Sequence, residues 1–301
     1  MPLSSISQTT YAISGQGKEL VAHGTPLFPA AFYHDDLSRS PVPWHWHDEI
    51  EAMVVNQGET LVSAGTRKLH LKAGQGLFIN ASVLHGAHSV DDTACKFHSI
   101  VFSPRLIGGG IDSIFWQKYL KPLIQKGPRS IVLDGTHSWH ANALADIENA
   151  WQEGTADQTG YEFRVRALLS DLIFLVYSHM SANRLQVSEK TLRDGERIKA
   201  MLHYINEHYQ DQITLEELAA SAMISQSECL RCFRSTIGTP PIQYLKSFRV
   251  RKAAELLYST SLKINEISER CGFQDPSYFT RSFREIKGMT PNQYRQSTEQ
   301  D

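Results

Sequence analysis

The C-terminal third of the chain contains an internal duplication, which restricts the folds open to it. The segment LEELAASAMISQSECLRCFRSTIGTPPIQYL is similar to INEISERCGFQDPSYFTRSFREIKGMTPNQYR further along the chain. The copies are offset by 49 residues at Glu217 and Glu266 and by 50 residues at Phe233 and Phe283, so one residue has been inserted. Two copies are too few for a solenoid, which needs about three repeats to bury a continuous core. The duplication therefore predicts two similar small helical modules.

Each copy has the pattern of a helix, a tight turn and a second helix. In the first copy, Ser225 or Ser227 is placed to cap the second helix. In the second copy, Gly272 supplies the turn, Asp275 is the candidate N-cap, and Pro276 occupies the favourable first helical position. We therefore expect two helix-turn-helix units, whose second helices lie in the major groove of DNA.

Charge supports double-stranded DNA as the partner of this region. Between Gln226 and Arg295, 12 Lys and Arg residues stand against six Asp and Glu residues, although the whole chain carries a net charge of −2. The helix predicted between the copies has a basic face that includes Arg249 and Lys252. It would hold the two recognition helices so that they enter successive major grooves, about 34 Å apart. The polar residues predicted to contact DNA from the second helices are Gln226, Ser227, Arg231, Arg234, Ser277, Thr280, Arg281 and Arg284.

The sequence GFQDPSYFTRSFREIKGMTPNQYR resembles the signature of the AraC family of bacterial transcription regulators. The resemblance extends from near Ile198 to Arg295, and it implies an all-α domain with base contacts from both second helices. Carried over by position, it adds Leu230 and Pro276 as DNA-contacting residues. Neither side chain can hydrogen-bond a base edge, so we expect apolar contact, for instance with a thymine methyl group.

The first half of the chain has the pattern of β-structure. Short apolar runs such as EAMVVN, GLFIN and CKFHSIVF recur about every ten residues between Gly, Asn and Asp, which predicts a sandwich or a barrel. After Arg105 the apolar residues take helical spacing. The helix predicted from Tyr161 to Met180 has apolar residues on more than one face. That excess predicts a homodimer formed through the N-terminal half.

A histidine motif lies in residues 44–58, WHWHDEIEAMVVNQG. His45, His47 and Glu51 share parity, so on a strand all three face one side. The spacing resembles the first cupin motif, and AGQGLFINASVLHG resembles the second, with His85 in the histidine position. The resemblance implies a small β-barrel that holds one small ligand. Because imidazole and carboxylate suit Zn, Ni, Fe or Mn, the four residues are a candidate site for one divalent transition metal.

Three roles are open for this set of four residues. They could hold a metal for structure or effector recognition, line a metal-free pocket for a polar effector such as a sugar or an organic acid, or hold a catalytic metal. Trp44, Trp46 and His98 are further candidate effector contacts. Gln75 and Asn80 replace an acidic residue and a proline of the cupin pattern, which disfavours the catalytic role.

Together these patterns predict two domains. The first, at 1–183, is a cupin-like β-barrel with flanking helices that senses an effector and dimerises; a linker follows at 184–193. The second, at 194–301, is an all-α DNA-binding domain with two helix-turn-helix units joined by a long helix. We expect a ligand-responsive transcription regulator that is not an enzyme; the alternative is a metal-dependent cupin enzyme with an appended helical domain. The chain shows neither an apolar signal-peptide core nor the roughly 20 apolar residues of a membrane span, which predicts a cytoplasmic protein with no membrane partner.

Overall fold

The chain forms two units, whose boundary lies between Gly195 and Glu196. Their structure is a computed structural model that describes residues 13, 17–90, 94–180 and 189–298. The stretch 184–193, predicted as a linker, is helical from Glu189 onward, and residues 184–188 lie outside the described part. The helix begins earlier than predicted because the sequence from Glu189 to Arg197 is rich in Glu, Lys and Arg, which have high helix propensity.

The N-terminal unit contains two antiparallel sheets. The strands are β1 (Ala30–Asp36), β2 (Val42–His45), β3 (Ile50–Gln57), β4 (Glu59–Ala64), β5 (Arg67–Lys72), β6 (Gly76–Ile79), β7 (His85–Ser89), β8 (Lys96–Phe102) and β9 (Ser130–Leu133). One sheet has the order β1-β8-β3-β6-β9, and the other has the order β2-β7-β4-β5. Met53, Val62 and Leu71 belong to one buried core shared by both sheets. This is the predicted cupin-like barrel.

Helices cover the outer face of the five-stranded sheet. They are α1 (Pro104–Gly108), a π-helical turn (Phe115–Leu120), α2 (Lys121–Lys126), α3 (Ser138–Ala156) and α4 (Tyr161–His179). Ile50, Ala52 and Val54 of β3 pack in the same core as α3 and α4, whereas Met53 and Val55 lie in the core between the sheets. Because side chains alternate along a strand, Glu51 shares the face of Met53 and points into the barrel.

The C-terminal unit is all-α. Its helices are α5 (Glu189–His208), which begins before the boundary at Glu196, and α6 (Leu215–Ser221), α7 (Gln226–Thr236), α8 (Pro241–Ser259), α9 (Ile264–Arg270), α10 (Pro276–Lys287) and α11 (Pro291–Thr298). The pairs α6–α7 and α9–α10 are the two predicted helix-turn-helix units, and the 19-residue α8 joins them. Ser225 caps α7 and pairs with Glu228 in a capping box, while Asp275 caps α10 ahead of Pro276. Among the described residues, no helix combines the length and the apolar run that a membrane crossing requires.

Candidate functional site

Four buried side chains converge inside the N-terminal barrel. His45 ends β2, His47 follows two residues later, Glu51 lies on β3, and His85 begins β7. Their exposed fractions are between 2% and 8%. Each offers one ligand atom, and these atoms all lie within 4.8 Å of one another. The pairing of His45 with His85 across β2 and β7 brings the two separate motifs together.

The main chain orients each of the three imidazoles. The contacts are His45 Nδ1 to Pro43 O (2.8 Å), His47 Nδ1 to Glu49 O (3.1 Å) and His85 Nδ1 to Val83 O (2.7 Å). A carbonyl oxygen can only accept, so each Nδ1 carries the proton and donates it to the main chain. This leaves Nε2 of each ring facing the centre of the cluster, the tautomer that metal-binding histidines adopt.

Glu51 supplies the negative charge of the cluster. Its Oε2 lies 2.9 Å from His85 Nε2 and 3.5 Å from His47 Nε2. Burial alone would raise the pKa of Glu51, but the contacts with His47 and His85 outweigh burial and lower it well below its usual value. Burial, reinforced by the neighbouring imidazoles, lowers the pKa of His45 well below its usual value. Burial also opposes the charged form of His85, yet Glu51 outweighs this effect and raises the His85 pKa.

The donor set fits a single divalent transition metal. The four ligand atoms lie within 4.8 Å of one another, so the space between them suits an ion better than an organic molecule. His47 Nε2 is buried and has no hydrogen-bond partner among the described residues. In a tetrahedral zinc site two ligand atoms lie about 3.4 Å apart. The four ligand atoms here lie within 4.8 Å of one another, so the side chains would move inward to bind one ion.

Two further ionisable residues reach this cluster, and the sequence analysis did not find them. Glu19 Oε2 lies 3.6 Å from His45 Nε2 and 3.3 Å from His23 Nε2. His23 Nδ1 in turn lies 2.9 Å from the hydroxyl of Tyr33. All three residues are buried. Glu19 and His23 belong to no periodic element and to neither cupin motif, so only the fold shows that they lie beside His45.

His98 lies on the opposite face of the sheet, which corrects the expectation that it contacts the effector. It shares parity with Ile100 on β8, and Ile100 belongs to the core shared with α3 and α4. Its ring centroid is 4.2 Å from that of Trp151, and its Nε2 is 3.5 Å from Glu148, both on α3. Burial, with His34 adding to it, lowers the pKa of His98 to about 4.

The two tryptophans of the motif differ from the histidines in burial. Trp44 and Trp46 are half-buried, whereas His45 and His47 are buried. Trp44 is next to His45 on β2, so the two side chains point to opposite faces. Trp46 lies beyond the end of β2, and its ring centroid is 5.3 Å from Lys18 Nζ.

The predicted DNA contacts on α7 and α10 lie on the solvent side of each helix. Exposed side chains are those of Gln226, Ser227, Arg234, Pro276, Ser277, Arg281 and Arg284, and half-buried side chains are those of Leu230, Arg231 and Thr280. The opposite faces hold Phe233 on α7 and Phe279 on α10, which are fully buried. Ser227, Leu230, Arg231 and Arg234 line one shallow hollow. Each helix therefore presents a polar, basic face away from its own core.

The two basic residues of α8 predicted to contact DNA both have partners within the protein. Arg249 donates from Nε to the carbonyl oxygen of Tyr209 and from a terminal nitrogen to that of Asp211, both at 2.7 Å. It therefore ties α8 to the loop that follows α5, which favours a structural role for it. Lys252 Nζ forms a 2.8 Å ion pair with Glu255 on the same helix.

Comparisons with known proteins agree with this division of the chain. Two family models match: an AraC-like ligand binding domain over residues 30–173 and a helix-turn-helix domain over residues 218–297. YdeC of Bacillus subtilis (strain 168), an uncharacterized HTH-type transcriptional regulator, is 28% identical over 95% of this chain and 98% of its own length. The HTH-type transcriptional activator RhaR of Cronobacter sakazakii is 26% identical over 84% of this chain and 86% of its own.

Among solved structures, the DNA-binding domain of AdpA in complex with a target DNA is similar to the C-terminal region. The two are 34% identical, and the match covers 33% of this chain and 90% of that chain, with a TM-score of 0.32.

Proposed function

Because the chain belongs to the AraC family of transcription regulators, we propose that it binds specific DNA in response to a divalent transition metal held in its N-terminal barrel. The family supplies the two functional halves, a ligand-binding domain and a helix-turn-helix domain. The family model names no ligand, and we propose a divalent transition metal. It rests on one observation, the convergence of His45, His47, Glu51 and His85 within 4.8 Å.

The chemistry of these four side chains supports a metal over an uncharged organic effector. Three Nε2 atoms with lone pairs and one carboxylate are a ligand set for Zn, Ni, Fe or Mn. A bound divalent ion would supply the positive charge that a buried carboxylate requires. The four ligand atoms lie within 4.8 Å of one another, which leaves little room for a sugar or an organic acid between them.

The DNA-reading part of the proposal assigns α7 and α10 to two adjacent major grooves. Arg231 and Arg281 are the candidates for guanine, since an arginine can contact O6 and N7 of this base together. α8, with 19 residues, would be roughly 28 Å long if straight. This length suits two reading helices placed about one turn of DNA apart.

The two helix-turn-helix units support a sensing role for the metal over a catalytic one. Two matched helix-turn-helix units serve DNA recognition and give no advantage to an enzyme. The four ligand side chains are also 2–8% exposed, so a substrate would have little access to a metal held among them.

The proposed regulator acts as a homodimer. Helix α4 supports a dimer. Its Val165, Leu169 and Leu172 are buried in the core of the N-terminal unit, whereas its Phe163 and Phe174 are exposed. Exposed aromatic side chains on a helix that is already packed favour a protein partner. A second copy of the chain would cover both, because in a two-fold dimer the same surface meets itself.

Metal analysis of protein purified without an affinity tag tests the ligand. We expect one transition metal per chain in the wild type, its loss in His47→Ala, and its retention in His70→Ala, which changes an exposed histidine of the same barrel. DNA binding should respond to the metal in the wild type and not in His47→Ala. A wild type that binds no metal, but whose response to an organic effector is lost in His47→Ala, would establish the metal-free pocket instead.

A further inference from the structure

We propose that Glu19 is a fifth ligand of this metal, and that metal binding therefore fastens residues 17–23 to the barrel. This inference rests on the metal site proposed above. It concerns a residue outside both cupin motifs, on a segment that precedes the first strand of the barrel.

The main chain brings the segment to the site. The amide of Glu19 donates to the carbonyl oxygen of Trp46 at 2.8 Å, and the amide of Trp46 donates to the carbonyl oxygen of Gly17 at 2.9 Å. Trp46 lies between His45 and His47 in the chain. The segment is thus paired with the residue that separates two of the proposed ligands, and this pairing fixes where the Glu19 side chain starts.

The Glu19 carboxylate lies next to His45 but outside the four residues whose ligand atoms are within 4.8 Å of one another. It would move inward to share the ion with His45. Its Oε2 is 3.6 Å from His45 Nε2, and two atoms at this separation can both bond one ion at about 2.0–2.2 Å. Its Oε1 is buried and has no hydrogen-bond partner among the described residues. The side chain is only 1% exposed. A buried carboxylate oxygen without a partner is costly, and coordination would satisfy it.

His23 and Tyr33 lie beside this carboxylate. His23 Nε2 lies 3.3 Å from Glu19 Oε2, and His23 Nδ1 lies 2.9 Å from the Tyr33 hydroxyl. The ring of His23 also packs against that of His47, with centroids 5.2 Å apart. The segment is therefore held at the cluster by side-chain contacts as well as by main-chain pairing.

Glu19 also brings a second buried carboxylate to the cluster, beside Glu51. Burial of acidic side chains favours a cation between them, and one divalent ion would contact both.

Hydrogen–deuterium exchange of the full-length protein, with zinc binding measured on the same sample, tests the inference. We expect added zinc to slow exchange in peptides that cover residues 17–23 of the metal-stripped wild type. In Glu19→Gln, zinc should still bind through the other four ligands, with an affinity at least about tenfold lower, and should no longer slow exchange in these peptides. Glu59→Gln, a change of a partly exposed carboxylate on β4, should behave as the wild type.

Three outcomes would overturn the inference. The first is zinc binding to the wild type with no change of exchange in residues 17–23. The second is an affinity of Glu19→Gln within twofold of that of Glu59→Gln. Both leave the four-residue metal site standing. The third, a wild type that binds none of zinc, nickel, iron and manganese, removes the metal site and the role of Glu19 together.

Discussion

One position in the turn has a left-handed backbone conformation in both helix-turn-helix units, but the residue at this position differs between them. Gly272 has φ +78° in the second unit, and Met223, its equivalent in the first, has φ +53°. A Cβ at Gly272 would lie 2.5 Å from the carbonyl oxygen of Tyr209, so glycine is required there for space as well as for conformation. Met223 is 93% exposed, so its side chain contributes little packing to offset the strain.

We expect Met223→Gly to stabilise the C-terminal unit by about 0.5–1 kcal/mol, since glycine adopts this conformation without the penalty that an L side chain carries. Gly272→Ala should destabilise it by more than about 2 kcal/mol, because strain and the clash with the main chain add. Urea unfolding of the full chain measures both changes. If Met223→Gly is less stable than the wild type, the methionine side chain has a stabilising contact.

The two arginines at matching places on α7 and α10 should read bases. We expect Arg231→Ala and Arg281→Ala each to cost about 1–3 kcal/mol at a site selected from random DNA, with a smaller effect on unselected DNA. Arg249→Ala is the control: it should lower the stability of the unit, because two carbonyl oxygens lose their donor. Competition binding measures the affinities. Equal losses on selected and unselected DNA would show that the two arginines contact phosphate only.

At the scale of elements, helices α3 and α4 pack together and bring the carboxylates of Asp146 and Asp171 near each other. Burial, with the charge of Asp171 adding to it, raises the pKa of Asp146 to about 6. The folded state therefore keeps Asp146 protonated to a higher pH than the unfolded chain does. The same two helices cover the outer face of the five-stranded sheet. The free-energy cost of ionising Asp146 therefore lowers the stability of the whole N-terminal unit.

The raised pKa predicts a pH dependence that one substitution removes. An aspartate titrates near 3.9 in the unfolded chain, so the Asp146 contribution to stability is lost as the pH rises from about 4 through about 6. We expect Asp146→Asn to be more stable than the wild type at pH 7.5, by less than about 1 kcal/mol because the group is partly exposed. At pH 4 the two should be equal.

Thermal unfolding between pH 4 and pH 8 measures this difference. Asp112→Asn, which changes an exposed carboxylate of the same unit, should leave the pH profile unchanged. A difference between Asp146→Asn and the wild type that is the same at pH 4 and pH 7.5 would mean that ionisation of Asp146 does not contribute.

At the scale of the whole molecule, the exposed face of α4 predicts the oligomeric state. Phe163→Glu combined with Phe174→Glu should convert the dimer to a monomer while the barrel stays folded, since both side chains are exposed. Tyr258→Glu, a change of an exposed aromatic residue on α8, should leave the dimer intact. Leu172→Glu should instead unfold the N-terminal unit, because Leu172 is fully buried in its own core.

Analytical ultracentrifugation at micromolar concentration, with circular dichroism for the fold, measures these outcomes. A wild type that is monomeric with and without DNA would show that the exposed phenylalanines serve another purpose.

The sequence by itself determined the elements whose signals are local. Helix caps, turn glycines and a repeated pattern lie within a few residues of one another, so both helix-turn-helix units could be recognised without the fold. The cupin motif likewise identified His45, His47 and Glu51, but the expectation that one strand carries all three was wrong. His45 ends β2, Glu51 lies on β3, and His47 lies between the two strands.

Only the tertiary structure decided which side chains meet across the barrel. β8 is buried on both faces, so its run of apolar residues does not distinguish the inner from the outer side, and His98 proved to face α3. Arg249 and Glu19 illustrate the same limit. The sequence does not distinguish a surface arginine from one that, like Arg249, donates hydrogen bonds to the main chain. Glu19 reaches His45 only because the segment before β1 pairs with Trp46. Contacts between residues far apart in the chain depend on register and packing, which no local pattern encodes.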